Sequence, residues 1–173
     1  FVDVLETTLN IDPECIKRSV NSRTRAIVPV HYAGVACEMD ELSGIATSGE
    51  RISLIEDNAH GIFGKYKNRK LGTFGDLAAH SFHETKNIIS GEGGMLAIND
   101  EQFIDRAEII WEKGTNRSAF FRGEVDKYGW VDIGSSFLPS DIIAAFLFAQ
   151  IENLENIQSK RKEIWSIYYE GLK

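Results

Sequence analysis

Four short runs of hydrophobic residues, the first of them rich in β-branched side chains, are the most regular feature of this chain. They lack the strict alternation of a half-exposed strand, and such continuous runs are typical of a sheet buried on both faces. A segment with helical spacing separates the first two runs, so we expect a strand–helix–strand unit with parallel strands. The predicted strands are residues 26–31, 52–55, 77–82 and 95–98.

Apolar residues at helical spacing predict the helices that flank this sheet. Asp40 is a plausible N-cap for the first helix, and Ser140 or Asp141 for the third. The fold class is therefore α/β, with a mostly parallel sheet flanked by helices in one domain. The predicted helices are residues 38–47, 100–113, 140–157 and 160–172, and the glycine-containing stretch 114–139 is a predicted loop.

The net charge of the chain argues against some classes of binding partner. Its 173 residues carry 19 basic and 26 acidic side chains, a net charge of −7. This balance argues against general binding to nucleic acid or to anionic membranes, and no apolar run approaches the length of a membrane span. Cys15 and Cys37 lack metal-ligand spacing, so we expect no metal site and reduced thiols in a cytoplasmic protein. The strand-like start at Phe1 and the helical pattern at Lys173 suggest a piece of a longer protein.

Lys86 and Asp57 are the residues with the clearest potential for chemistry. Lys86 follows the third predicted strand and precedes the glycine-rich segment 91–94, while Asp57 follows the second strand. A lysine that forms a Schiff base and an aspartate that pairs with a pyridinium nitrogen are what a pyridoxal 5′-phosphate (PLP) enzyme requires. Taken singly, a lysine such as Lys86 is more often a solvated loop residue, and an aspartate such as Asp57 a helix cap or a surface carboxylate. Their combination favours catalysis.

Three further groups of polar residues are candidates for binding. The Ser81 hydroxyl can donate to a phosphate, and His60 can pack beside a cofactor ring, although both side chains are also common as structural hydrogen-bonding groups. The stretch 112–130 mixes cations with aromatic residues, which suits a nucleotide diphosphate, or else it is a solvated charged loop. Its candidate substrate-binding cations are Arg117, Arg122 and Lys127.

Several motifs together resemble one enzyme family. The segments 56–60 (Glu-Asp-Asn-Ala-His), 81–87 (Ser-Phe-His-Glu-Thr-Lys-Asn) and 91–94 (Gly-Glu-Gly-Gly) are similar to those of the DegT/DnrJ/StrS nucleotide-sugar aminotransferases. These are fold-type I PLP-dependent transferases, and the resemblance covers nearly the whole chain. Within the family, segments 30–40 and 112–136 resemble the transaminases that form dTDP-4-amino-4,6-dideoxygalactose for the lipopolysaccharide-linked enterobacterial common antigen.

The resemblance implies a role for each candidate residue. Lys86 would carry the cofactor as a Schiff base, Asp57 would pair with its ring nitrogen, His60 would lie beside it and Ser81 would contact its phosphate. Ser136 aligns with a position, Asn in many relatives, whose side chain reaches the active site of the neighbouring subunit. The family dimer builds each site from two chains, so the resemblance implies a homodimer with shared active sites. Residues 1–173 would then form part of the PLP-binding large domain, with the phosphate-cradling segment before it and a small C-terminal domain after it.

The implied reaction moves the amino group of L-glutamate to the 4-keto carbon of dTDP-4-dehydro-6-deoxy-D-glucose. Its products would be dTDP-4-amino-4,6-dideoxy-D-galactose and 2-oxoglutarate. Two alternatives stay open: an aminotransferase for another keto-sugar nucleotide, and a PLP-binding relative without turnover. A family dehydratase is disfavoured, because those relatives carry histidine at the position of Lys86.

Overall fold

The computed structural model describes all residues, 1–173, and its centre is a four-stranded sheet. The strands lie in the order β1–β2–β5–β6, in which β1 and β5 both run parallel to β2 while β6 is antiparallel to β5. A separate two-stranded hairpin is formed by β3 and β4. The strands are β1 (Ala26–Ile27), β2 (Ser53–Asp57), β3 (Lys65–Tyr66), β4 (Arg69–Lys70), β5 (Leu77–Ser81) and β6 (Gly94–Ile98).

Six α-helices surround the sheet or follow it. Short 3₁₀ turns also occur at Tyr32–Gly34 and Glu101–Phe103. None of the helices combines the length and the apolar character needed to cross a membrane. The helices are α1 (Pro13–Ser19), α2 (Met39–Thr47), α3 (Ile104–Trp111), α4 (Arg117–Phe121), α5 (Asp141–Glu152) and α6 (Leu154–Gly171).

The hydrophobic core lies between one face of the sheet and the helices α1 and α2. Met39 and Leu42 of α2 are completely buried and belong to the same cluster as Ile27 of β1 and Leu54 of β2. The apolar residues of α2 recur at helical spacing and therefore form one buried stripe, which removes their surface from water. This packing fixes β1 and β2 against α2 and leaves the carboxyl ends of the strands free to carry polar residues.

The mostly parallel α/β sheet and the positions of its four strands are confirmed. The first strand is shorter than predicted: β1 ends at Ile27, and pairing resumes only at an isolated bridge between Val30 and Asp57. Pro29 lies in this interval and has no N–H to donate to a ladder, which explains the interruption. The expectation of a strand at the very start is wrong, because only Val4 pairs there, in a bridge with Ile11.

Helix boundaries differ from the prediction at three places. Glu38, not Asp40, occupies the N-cap of α2; Asp40 lies in the first turn, where its charge interacts favourably with the helix dipole. The predicted loop 114–139 contains the five-residue helix α4. The helix predicted to reach residue 157 ends earlier, because Asn153 leaves helical geometry and separates α5 from α6.

Two elements were not predicted at all. Helix α1 begins after Asp12, whose side chain accepts a hydrogen bond from the backbone N–H of Glu14, and it has Pro13 in its first turn. These are standard helix-start signals, but the helix is too short to show a clear apolar period. The hairpin of β3 and β4 turns at Lys67 and Asn68, both with positive φ, and its strands are too short to give an alternating pattern.

Candidate functional site

Asp57 and Ser81 end the adjacent strands β2 and β5 on one face of the sheet. Asp57 lies opposite Ala79 in the strand register, and alternate residues of a strand point to the same side, so Ala79 and Ser81 share that face. Ala79 is exposed and Gly94 pairs with Ser81, so no large side chain covers the surface between them. A flat aromatic ring fits such a surface, with a carboxylate at one end and a hydroxyl at the other.

The candidate carboxylate and hydroxyl both retain capacity to bind. Asp57 is half-buried, forms no salt bridge, and its Oδ1 accepts one hydrogen bond, from the N–H of Ala59 at 3.1 Å. Ser81 Oγ accepts from the N–H of His83 at 3.3 Å, which leaves its own hydrogen available for donation. Asp57 can therefore pair with a cation, and Ser81 can donate to an anion such as phosphate.

Lys86 lies in the connection between β5 and β6, which folds back on itself. The N–H of Phe82 donates to the Gly93 carbonyl at 2.8 Å, and the N–H of Glu84 donates to the Gly91 carbonyl at 2.9 Å. Gly91 and Gly93 have φ of +83° and +151°, conformations that other residues rarely adopt. The glycine segment thus anchors the connection, while the half-buried Lys86 side chain forms no hydrogen bond or salt bridge and remains available as an amine.

His60 contacts Ala33 and Tyr32, and the hydrogen bond from Ala33 defines its tautomer. Its Nδ1 accepts a hydrogen bond from the N–H of Ala33 at 3.1 Å, and its ring lies 5.9 Å from that of Tyr32. Since Nδ1 is an acceptor, the proton of the neutral ring is on Nε2. The exposed Nε2–H is then the group that can donate to a ligand.

A buried acidic residue beside Asp57 was not predicted as functional. Glu56 is completely buried and its Oε2 lies 3.0 Å from Nε2 of His31, which is also completely buried. Burial alone raises the pKa of Glu56, but hydrogen bonds from His31 and from three backbone N–H groups outweigh it and lower the pKa. The signal was present in the sequence, because a charged residue within a buried strand requires a partner.

Comparison with known proteins identifies the family. A sequence model of the DegT/DnrJ/EryC1/StrS aminotransferase family matches residues 1–173. The chain belongs to this family. The resemblance seen in the motifs is thereby confirmed, as is the fold-type I architecture. A putative sugar aminotransferase of Streptococcus pneumoniae, solved in a PLP form, shares this fold with a TM-score of 0.83 at 24% identity, over 98% of this chain and 47% of that one.

Members and neighbours of the DegT/DnrJ/EryC1/StrS family come from several organisms. The chain is 39% identical over 173 residues to an uncharacterized protein of Methanocaldococcus jannaschii, and 36% identical over 171 residues to the Bacillus subtilis spore coat polysaccharide biosynthesis protein SpsC. These alignments cover 98% and 97% of the chain but 45% and 44% of the relatives. The chain therefore spans about half the length of the proteins it matches.

Solved structures show the same relationship. Helicobacter pylori PseC, an aminotransferase involved in the biosynthesis of pseudoaminic acid, superposes with a TM-score of 0.84 at 27% identity. The superposition covers 96% of this chain and 43% of PseC. The strands that carry Asp57 and Ser81 thus belong to a fold shared with a sugar aminotransferase.

The remaining residues predicted from the family resemblance lie outside the strand-end cluster. No hydrogen bond or salt bridge joins the segment 112–136 to the ends of β2 and β5. Ser136 is exposed and its backbone forms a bridge with Glu112. Arg117 lies over the ring of Phe121 at 5.1 Å, and Lys127 is exposed. Asp57 and Ser81 therefore lie at the ends of adjacent strands, and His60 and Lys86 lie in the segments that follow those strands. The four residues of the other segment form no hydrogen bond or salt bridge with them: Ser136, Arg117, Arg122 and Lys127.

Arg122 differs from the other candidate cations because it is already paired. Its guanidinium donates two hydrogen bonds to Glu108, both at 2.9 Å, and two to Glu124, at 2.8 and 3.1 Å. The pairing with Glu124 and Glu108 raises the pKa of Arg122, and that with Arg122 lowers the pKa of Glu124. This arrangement links α3 to the end of α4 and gives Arg122 a structural contact, and its role as a substrate ligand stays a prediction.

Proposed function

We propose that the whole protein is a PLP-dependent nucleotide-sugar aminotransferase. The observation that supports this proposal is an unpaired lysine, Lys86, in the connection that follows β5, next to the strand β2 that ends in Asp57, in a chain of this family. In open α/β sheets, ligands bind outside the carboxyl ends of the strands. Three of the polar groups suit the functional groups of PLP: the Asp57 carboxylate suits the ring nitrogen, the Ser81 hydroxyl the phosphate, and the Lys86 amine the aldehyde.

Each residue of this chain has a separate task in the proposed reaction. When bound, PLP supplies a ring that withdraws electrons from the amino-bearing carbon of the substrate. Asp57 would keep the ring nitrogen protonated, and Ser81 would donate to the phosphate. Lys86 would hold the cofactor until the amino donor replaces it, and its Nζ would then carry the proton to and from the substrate carbon. His60 Nε2–H would orient the ring from the side.

For the substrates, we propose L-glutamate as donor and dTDP-4-dehydro-6-deoxy-D-glucose as acceptor. The amino group of glutamate would be transferred to the 4-keto carbon, giving dTDP-4-amino-4,6-dideoxy-D-galactose and 2-oxoglutarate, a step suited to the synthesis of the enterobacterial common antigen. The similarity of the segments 30–40 and 112–136 to such transaminases supports this choice. We further propose a cytoplasmic homodimer in which Ser136 contributes to the partner's site and Arg117 and Lys127 contact the nucleotide.

A second candidate keeps the chemistry and changes the sugar. The relatives named above include a spore coat polysaccharide protein and an enzyme of pseudoaminic acid biosynthesis, so the fold serves more than one product. Arg122, one of the cations expected to bind a dTDP-sugar, is also paired with Glu108 and Glu124, which favours a different substrate. Another keto-sugar nucleotide is therefore the alternative substrate.

The test is a spectroscopic titration of the full-length protein followed by product analysis. We expect a visible absorption band with PLP, a shift of that band on addition of L-glutamate, and its return on addition of the dTDP-4-keto-sugar. Mass spectrometry should then find an amino-sugar nucleotide. Return of the band only with a different keto-sugar from a panel would support the alternative, whereas a band that glutamate and other amino donors never shift would indicate a PLP-binding protein without turnover.

A further inference from the structure

Glu56 is an ionised residue in the interior that no step of the proposed reaction uses. Its exposure is 0%, and its two carboxylate oxygens accept four hydrogen bonds. A buried carboxylate is costly unless its oxygens are fully paired, and here they are. The donors are His31 Nε2 at 3.0 Å and the backbone N–H groups of Gly72 at 2.7 Å, Phe74 at 2.6 Å and Gly75 at 2.8 Å.

His31 connects this carboxylate to the strand end through two different groups. Its Nδ1 accepts a hydrogen bond from the N–H of Cys37 at 3.2 Å, so its proton is on Nε2 and is donated to Glu56. The backbone N–H of His31 donates to the carbonyl oxygen of Asp57 at 3.1 Å. One buried histidine thus contacts both acidic residues at the end of β2.

We propose that Glu56 and His31 are positioning residues that aim the Asp57 carboxylate at the cofactor. Consecutive residues of a strand point to opposite faces, so fixing the Glu56 side chain on the buried face fixes the direction of Asp57 on the open face. Because four donors compensate the charge of Glu56, Asp57 is the less compensated of the two adjacent carboxylates. The inference rests on the function proposed above and adds two residues that orient Asp57 in the same site.

The supporting layer includes the turn that precedes β5. Asn99 Nδ2 donates to the carbonyl oxygens of Gly72 and Gly75 at 3.0 and 2.8 Å, and Glu56 accepts from the N–H groups of the same two residues. Both sides of the turn are therefore held by side chains. Since this turn leads directly into β5, which pairs with β2, the clamp on Glu56 joins the two strands that carry Asp57 and Ser81.

The test compares PLP affinity in variants of the full-length protein. His31→Leu removes the side-chain donor to Glu56, and His31→Gln keeps an N–H donor near the Nε2 position. Leu42→Ala weakens the core between α2 and the sheet without removing any hydrogen bond to Glu56 or Asp57. We expect His31→Leu and Glu56→Gln to bind PLP about tenfold more weakly, equivalent to about 1.4 kcal/mol, and to shift the pH midpoint of the bound cofactor's visible band. His31→Gln should restore most of the affinity and the midpoint.

The core variant separates positioning from general destabilisation. Leu42→Ala should lower the melting temperature at least as much as His31→Leu but leave PLP affinity and the band midpoint unchanged. If Glu56→Gln does not fold, His31→Leu decides, because three backbone donors to Glu56 remain in it. Equal affinity of His31→Leu and wild type, or equal weakening in Leu42→Ala, overturns the positioning role alone. Absence of PLP binding by the wild type overturns the proposed function and this inference together.

Discussion

At the scale of single residues, Lys86 owes its proposed role to a lack of partners. Its side chain forms no hydrogen bond or salt bridge, so its removal leaves no buried group unpaired. We expect Lys86→Ala to reduce amino transfer by more than about 10³-fold, because no other amine replaces it as nucleophile and proton carrier. The melting temperature should stay close to wild type. Lys65→Ala, in the exposed hairpin strand β3, is the matched control and should retain full activity.

Asp57 should affect the chemistry more than the fold. Its side chain accepts a single hydrogen bond, from Ala59, whereas its backbone forms hydrogen bonds with Pro29 and His31. Asp57→Ala removes the carboxylate that would keep the ring nitrogen protonated, so we expect a loss of roughly 10²–10³-fold in turnover, the usual size for one preorganised electrostatic partner. Stopped-flow measurement of the glutamate half-reaction tests this, and a wild-type rate would contradict the assignment.

Two titratable groups, the half-buried His80 and the buried Glu56, predict how the protein responds to acid. Burial lowers the pKa of His80 and opposes its protonation in the folded state, although the charge of Glu56 partly offsets this effect. Stability should therefore start to fall below pH 6.5, the ordinary pKa of a histidine, because the unfolded chain binds the proton first. The lowered pKa of Glu56 adds a second loss: its contribution is complete above about pH 4.5 and disappears as the pH falls through the lower, folded-state pKa.

Substitution of Glu56 separates these two contributions. At pH 7, Glu56→Gln should reduce the free energy of unfolding by about 3 kcal/mol, because an amide nitrogen would face backbone N–H donors. The variant should keep the loss attributed to His80 below pH 6.5 and lack the further loss below pH 4.5. Urea unfolding at pH 7, 5.5 and 3.5 measures both. An unchanged acid profile in the variant would show that Glu56 is not ionised in the folded protein.

At the scale of elements, replacing glycine by alanine should lower the stability of the protein at a turn position and raise it at a helix position. Gly72 has φ of +86°, and a Cβ there would lie 2.8 Å from Nε2 of His80. We expect Gly72→Ala to destabilise the protein by about 2 kcal/mol. Gly44, inside α2, has nothing within 4 Å of an added Cβ, so Gly44→Ala should stabilise the protein by about 0.5–1 kcal/mol. Thermal unfolding of the two variants checks both signs, and destabilisation by both would contradict the description of α2.

At the scale of the whole molecule, large apolar side chains remain exposed around Ser136. Ile133 is 84% exposed and Trp130 is 76% exposed, and exposed apolar patches mark interaction surfaces. We expect the full-length protein to be a dimer and Ile133→Asp to raise its dissociation constant at least about tenfold. Leu172→Asp, at an 81% exposed position beyond α6, is the control and should dimerise normally. Sedimentation of the two variants decides; an unaffected Ile133→Asp dimer would place the interface elsewhere.

The sequence by itself determined the features that depend on local order. Continuous apolar runs predicted the strands, the spacing in α2 predicted its buried face, and the motifs around Asp57 and Lys86 led to the correct family. These features were predictable because strand burial, helical period and motif spacing are properties of neighbouring residues. The short elements α1 and β3–β4 escaped, since they contain too few residues to establish a period.

Only the tertiary structure decided which polar residues meet. In the sequence, Glu56 is one of two acidic residues at the end of a predicted strand. In the fold, it is hydrogen-bonded to His31 and to the turn that begins at Gly72, both distant in the sequence. The sequence predicted that Arg122 is a free cation, but in the structure it donates a hydrogen bond to Glu108 of α3. Strand register and helix packing determine these hydrogen-bonding partners, because they bring residues that are distant in the sequence close together. Hydrogen bonds from these distant donors then lower the pKa of Glu56, and no pattern of neighbouring residues records which donors they are.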